Sequence, residues 1–155
     1  MAYTTKTKVE NYLMTNIDNT FDTQLTDWIA ATKIFIDNYC GRVFESSESE
    51  TRYYDGNGKS EMYIDDFLSI TSLQILDSYG DVLYSLTEGH DKDYVTYPYN
   101  SGAKSKLILT SHGYVLKFPD ASKRVAVTGI FGFSATVPKD IELAATILVA
   151  EIVRQ

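Results

Sequence analysis

The chain has a single cysteine, Cys40, in 155 residues, so no internal disulfide can form and a reducing compartment fits. Cys40 lies on the apolar side of a helical pattern. It is expected to be a small buried hydrophobe rather than a nucleophile. Histidine is almost as scarce: His90 and His112 fall in different turns with no cysteine near, which leaves no metal-ligand spacing. No apolar run is long enough to span a bilayer. The opening residues, Met1-Ala2-Tyr3-Thr4-Thr5-Lys6, lack the apolar stretch of a secretory signal, so none is expected.

Basic charge is also short, with 14 Lys and Arg against 21 Asp and Glu, a net of -7. Tight nucleic-acid binding needs phosphate neutralisation by Lys and Arg, and no basic stripe exists here to supply it. Residues 45–66 hold Glu45, Glu48, Glu50, Asp55, Glu61, Asp65 and Asp66 against Arg52 and Lys59. The plain reading is a solvated acidic loop, and beside DNA such a surface lets the duplex slide.

Catalytic patterns fail one by one. Ser111-His112 has no nucleophile elbow, and adjacent turn residues rarely face each other. Asp55-Gly56-Asn57-Gly58-Lys59 puts a cation where a calcium loop needs an oxygen ligand, and Ser60 where it needs glycine. Glu61, Asp65 and Asp66 have no other polar group converging on them. Gly129-Ile130-Phe131-Gly132 is no dinucleotide fingerprint and opens no helix. No enzyme activity, metal or cofactor is expected.

What the chain does have is an ordered change of period. Thr5 suits an N-cap for a first helix over 5–13, with Val9, Tyr12 and Leu13 on one face. A second helix is predicted over 21–40, where Leu25, Trp28, Ile29, Thr32, Phe35, Ile36 and Tyr39 keep helical spacing and Gly41 provides the C-cap. Residues 45–50 read as a mobile polar loop. Strand signals then dominate from 51 to 133. Arg52-Tyr53-Tyr54 and Met62-Tyr63-Ile64 flank Asp55-Gly56-Asn57-Gly58, a predicted hairpin. Ile70–Leu76 and Val82–Leu86 flank a second turn at Asp77-Ser78-Tyr79-Gly80. Further strands are predicted at Tyr94–Tyr97, Leu107–Leu109, Tyr114–Phe118 and 124–133.

Val137-Pro138 opens a last helix with Pro138 at its first position and Asp140 and Glu142 at the positive end of its dipole. Ile141, Ala144, Ala145, Leu148 and Ile152 form one stripe, but Leu143, Ile147 and Val149 are apolar too. A helix apolar on most sides needs cover on most sides, from its own domain or from another subunit. The fold class is therefore α+β: a small helical module, residues 1–44 and 137–155, with an antiparallel β-region inserted at about 50–133, all in one domain.

Nine of the twelve tyrosines lie between Tyr53 and Tyr114. Tyrosine favours strands, but a small sheet cannot bury so many on one face, and tyrosine is enriched at interfaces. The interface candidates are Tyr53, Tyr54, Tyr97 and Tyr99 in the β-region, and Ile147, Ile152 and Arg154 in the last helix.

In order and spacing, several pieces resemble the head-tail connector (adaptor) family of tailed bacteriophages. They are the opening Tyr3-Thr4-Thr5, the helix end Tyr39-Cys40-Gly41-Arg42-Val43-Phe44, Thr51-Arg52-Tyr53-Tyr54-Asp55-Gly56-Asn57-Gly58, Val127-Thr128-Gly129-Ile130-Phe131-Gly132-Phe133, and Val137-Pro138 with Ile141 and Ala144. The resemblance covers nearly the whole chain and carries no catalytic residue. It implies a homo-oligomeric ring below the portal protein, monomeric in solution or not, which extends the channel for double-stranded DNA and docks the next neck or tail protein. It also implies a place at the head-tail junction of the virion, after assembly in the bacterial cytoplasm, with no membrane partner. The alternatives are a head-closure or tail-completion protein, or a small β-rich ligand-binding module.

Overall fold

The computed structural model describes residues 2–155. In chain order it contains α1 (Lys6–Leu13), α2 (Asp22–Cys40), β1 (Ser49–Tyr54), β2 (Glu61–Leu76), β3 (Val82–Leu86), β4 (Tyr94–Tyr97), β5 (Lys104–Leu109), β6 (Val125–Phe131) and α3 (Lys139–Arg154). Helices stand at both ends of this order and an antiparallel sheet is inserted between them, as the change of hydrophobic period predicts. The chain divides into two compact units. One takes in the residues through Glu45 together with Thr136–Gln155; the other is Ser46–Ala135.

In the helical unit, the Thr5 side chain accepts the Lys8 N–H at the start of α1. Asp18 caps a single 3-10 turn (Asn19–Phe21) that leads into α2. Gly41 ends α2 with φ +66°, a left-handed conformation that glycine adopts without strain. Val9, Leu25, Val149 and Ala150 form the core, ringed by Leu13, Ile17, Trp28, Ile29 and Val153.

The helix faces follow the predicted stripes in part: Val9, Leu13, Leu25, Trp28, Ile29, Thr32 and Ile36 face inward, and other members do not. On α2 only Leu25, Thr32 and Ile36 are buried, while Phe35 and Tyr39 are exposed by 58% and 82%. Cys40 is exposed, not buried, because the cover on this face ends at Ile36, one turn earlier. On α3 the packed face is Ala145, Thr146, Val149 and Ala150, and Leu148 and Ile152 of the expected stripe are exposed. Small side chains allow close helix approach, and buried Thr146 joins Thr4 hydroxyl to hydroxyl at 2.7 Å. Side-chain size and a buried polar pair thus outweigh hydrophobicity in choosing the face. Pro138 is extended (φ -57°, ψ 144°) and precedes the first helical residue rather than occupying it.

In the other unit the strand order is β1-β6-β2-β5-β4, with β3 also on β2. The sixteen-residue β2 organises the sheet. One of its sides pairs with β6, and its other side pairs with β5 in the first half and β3 in the second. Met62, Phe67, Leu73, Ile75, Leu107, Val125, Val127 and Phe131 form the centre of the core.

Three predictions fail here. The turn at Asp55–Gly58 does not make a hairpin, since β1 pairs with β6 and not with β2. The turn is instead held by the segment before β6: the Gly56 N–H donates to the Ala121 carbonyl (3.0 Å) and the Lys123 N–H to the Asp55 carboxylate (2.7 Å). The expected strand at Tyr114–Phe118 is irregular. Buried Val115 and Phe118 anchor it, and the Phe118 N–H donates to the Lys59 carbonyl, but no ladder forms. Residues 45–50 are tied down as well, for Ser46 N–H bonds the Ser134 carbonyl, Ser47 N–H bonds the Phe131 carbonyl, and Ser49-Glu50 begin β1.

Candidate interaction surfaces

Among the described residues no group of three His, Cys, Asp or Glu side chains is placed to hold a metal. No helix among them is long and apolar enough to cross a membrane. His90 and His112 are exposed. The features that stand out are apolar and aromatic surfaces.

The helical unit carries two. On α2, Ile34, Phe35 and Tyr39 are exposed, and the rings of Phe35 and Tyr39 stack with centroids 6.1 Å apart. On α3, Leu143, Leu148 and Ile152 are exposed, and Ile147 is half-buried beside them. Arg154 is engaged within the chain: it pairs with Glu151 at 2.7 Å and lies over the Tyr12 ring at 5.9 Å. The end of α2 is fixed by Tyr3, which is buried. Its hydroxyl donates to Asp37 and accepts the Phe44 N–H at 2.9 Å, while Lys33 reaches Asp37 at 2.6 Å. A cleft of about 430 Å³ lies between Thr4, Thr5, Lys8, Val137 and Lys139. Glu142 bonds Lys8 across it at 2.7 Å, and that ammonium holds the Glu142 carboxyl below its ordinary range.

The sheet unit carries a third surface. The register sets Tyr63 opposite Lys106 and Lys106 opposite Tyr97, so three neighbouring strands present these side chains on one face. The Lys106 ammonium lies 5.2 Å from the Tyr63 ring and 5.4 Å from that of Tyr97, and is paired with Glu61 at 2.9 Å. Tyr99 meets Tyr97 edge to face with centroids 5.2 Å apart. Tyr63 is 72% exposed. The sequence candidates Tyr97 and Tyr99 therefore come together, whereas Tyr53 stands apart on β1 with Lys123 over its ring at 4.7 Å. Tyr54 is half-buried and its hydroxyl donates to Asp65 at 2.8 Å, in a network with Arg52 and Glu50. Tyr63 and Lys106 were not singled out from the sequence. The alternation Glu61-Met62-Tyr63 and Lys104-Ser105-Lys106 carried the signal, but the cross-strand pairing that joins them did not.

Three tyrosine hydroxyls have their titration moved up from about 10. Burial is the main cause at Tyr3, Tyr54 and Tyr94, reinforced by the Asp37 bond at Tyr3 and the Asp65 bond at Tyr54. A group whose pKa is raised on folding contributes stability below its unfolded value and loses it above. The contribution of these hydroxyls to stability should therefore be constant up to about pH 10 and fall beyond it. The Tyr94→Phe variant, which loses no hydroxyl bond of those described, should unfold at higher pH than the parent in alkaline titrations followed by circular dichroism. An unchanged alkaline midpoint would count against that assignment.

No protein-family model and no curated protein matches the sequence. A solved chain from the neck of an empty GTA particle, computed with C6 symmetry, shares the fold. The TM-score is 0.66 at 15% identity, over 96% of this chain and 77% of that one.

Proposed function

We propose that this chain is a structural subunit of the neck of a tailed phage or phage-like particle, and not an enzyme. Copies form a ring below the portal protein, DNA passes through it without specific contacts, and the next neck or tail protein docks on it. The observation that carries this reading is the fold shared with a neck chain across nearly all of the protein. The surfaces suit it. A ring needs two different patches on each subunit, one for each neighbour. The exposed faces of α2 and α3 are two such patches on one unit. The acidic balance of -7 opposes tight adhesion of DNA in a conduit.

The test is immunogold electron microscopy of the particles released by the source organism. Gold at the head-tail junction is the expected result. Unlabelled particles beside abundant free protein would refute the neck role. That outcome would favour a β-rich ligand-binding module, for which the Tyr63–Lys106–Tyr97 face is the supporting observation.

A further inference from the structure

Three strands, β1, β3 and β4, lie at an edge of the sheet, the start of β4 being covered by a bridge from Glu88 to Tyr94, and they are not alike. β1 carries Glu50 and Arg52, charges that discourage pairing with another chain. β4 has only four residues and stops at Tyr97 before Pro98. β3 reads Val-Leu-Tyr-Ser-Leu, with no charge and no proline. Among the described residues, β3 pairs only with β2. Val82, Leu83 and Tyr84 are exposed, as is Tyr79 at the turn. The one irregularity is a bulge near the turn that leaves Leu83 without a partner across the ladder; pairing continues through Tyr84, Ser85 and Leu86.

Charge decides what this edge would take. Residues 77–92 contain Asp77, Asp81, Glu88 and Asp91 against the single cation Lys92, whose side chain lies against Gly89, so the balance at this edge is acidic. Asp77 is spent on the turn, accepting the N–H groups of Tyr79 and Asp81. Asp81 precedes the apolar edge and Glu88 follows it, the Glu88 carboxylate also accepting the Thr96 hydroxyl of β4 at 3.2 Å. Two copies paired through β3 in antiparallel fashion would bring Asp81 of one beside the Glu88 end of the other. Parallel pairing would set Asp81 beside Asp81. Either is repulsive.

We infer that the β3 edge accepts an extended apolar segment of a different protein, one flanked on both sides by Lys or Arg, as an added strand. Main-chain hydrogen bonds would supply affinity, the exposed side chains of Val82, Leu83 and Tyr84 the apolar contact, and Asp81 and Glu88 the preference for basic flanks. The inference rests on the edge and its charges and is independent of ring assembly.

The experiment uses the full chain and two fluorescein-labelled peptides, KKVTITVKK and EEVTITVEE, read by anisotropy, with amide shifts followed by NMR. The expected result is binding of the basic peptide that weakens with salt, at least about tenfold tighter than the acidic one. Amide shifts should concentrate in Val82–Leu86. Leu83→Lys should weaken binding by a similar factor while keeping the parent circular dichroism spectrum; if that variant misfolds, Ser85→Lys serves instead. Thr51→Lys on β1 should leave binding unchanged. Four results would overturn the inference: no binding at millimolar peptide, equal binding of both peptides, shifts centred on β1, β4 or the helices, or self-association of the parent chain through β3.

Discussion

Replacing Gly56 with alanine is expected to cost about 3 kcal/mol or more, a large share of the stability of a typical domain. A Cβ at this position would lie 1.7 Å from the carbonyl oxygen of Pro119 and 2.8 Å from its carbonyl carbon. Those are backbone atoms, so no side chain can turn away to make room. The segment from Asp55 to Gly58 is pinned against the residues before β6, and the Gly56 N–H bond to Ala121 depends on that closeness. Urea unfolding followed by fluorescence would measure the loss. Gly102→Ala is the control, since nothing lies within 4 Å of its Cβ position; it should change stability by less than about 0.5 kcal/mol. Equal effects at the two glycines would show that the close approach to Pro119 is not what fixes the turn.

The second large effect concerns assembly. Phe35→Asp should leave a folded chain, because Phe35 is 58% exposed, and Leu148→Asp, at 36% exposure, should do so at some loss of stability that circular dichroism of the variant checks. Each should abolish incorporation into particles, because an unpaired carboxylate buried in a subunit contact costs several kcal/mol, or more than about a hundredfold in affinity. If the α2 face of one copy meets the α3 face of the next, mixing the two variants should yield pairs and nothing larger. The Phe35→Asp chain keeps a sound α3 face and the Leu148→Asp chain a sound α2 face, so one good contact forms and the series stops. Analytical ultracentrifugation of the concentrated mixture reads this directly. Variants incorporated as efficiently as the parent would remove α2 and α3 from the ring wall. Ile147→Asp is less informative, since Ile147 is half-buried and the variant tests folding as well.

The elements were legible in the sequence where local chemistry decides them. Thr5 and Gly41 set helix ends through their own hydrogen-bonding and backbone freedom, and Asp77–Gly80 closes the β2–β3 hairpin through its own turn. What was not legible depends on partners distant in the chain. Asp55–Gly58 has good turn chemistry, yet β1 finds β6 some 75 residues away because the loop is captured by Pro119 and Ala121. Tyr114–Phe118 has the residues of a strand, but it is anchored by buried Val115 and Phe118 and by the Phe118 bond to the Lys59 carbonyl, outside any ladder. The face of α3 was legible only in part: Ala145 of the expected stripe is buried, but hydrophobicity also favoured Leu148 and Ile152, whereas close packing favours Thr146 and Ala150. Of the interface candidates, Tyr97 and Tyr99 fall on a shared surface, Tyr54 and Arg154 are engaged within the chain, and Tyr53 stands by itself.

The bond from the Ser46 N–H to the Ser134 carbonyl, 2.8 Å long, means that the inserted sheet starts and finishes at the same place. For the helices, a stretch of roughly 90 residues then behaves as a tight connector between α2 and α3. Closing a flexible loop of that length would cost about 4 kcal/mol in chain entropy, a cost that a folded sheet spares the helices. Damage far out in the sheet should thus loosen the three-helix unit by mass action alone. The faces proposed for ring contacts should therefore be held together less firmly in a chain whose sheet is unfolded.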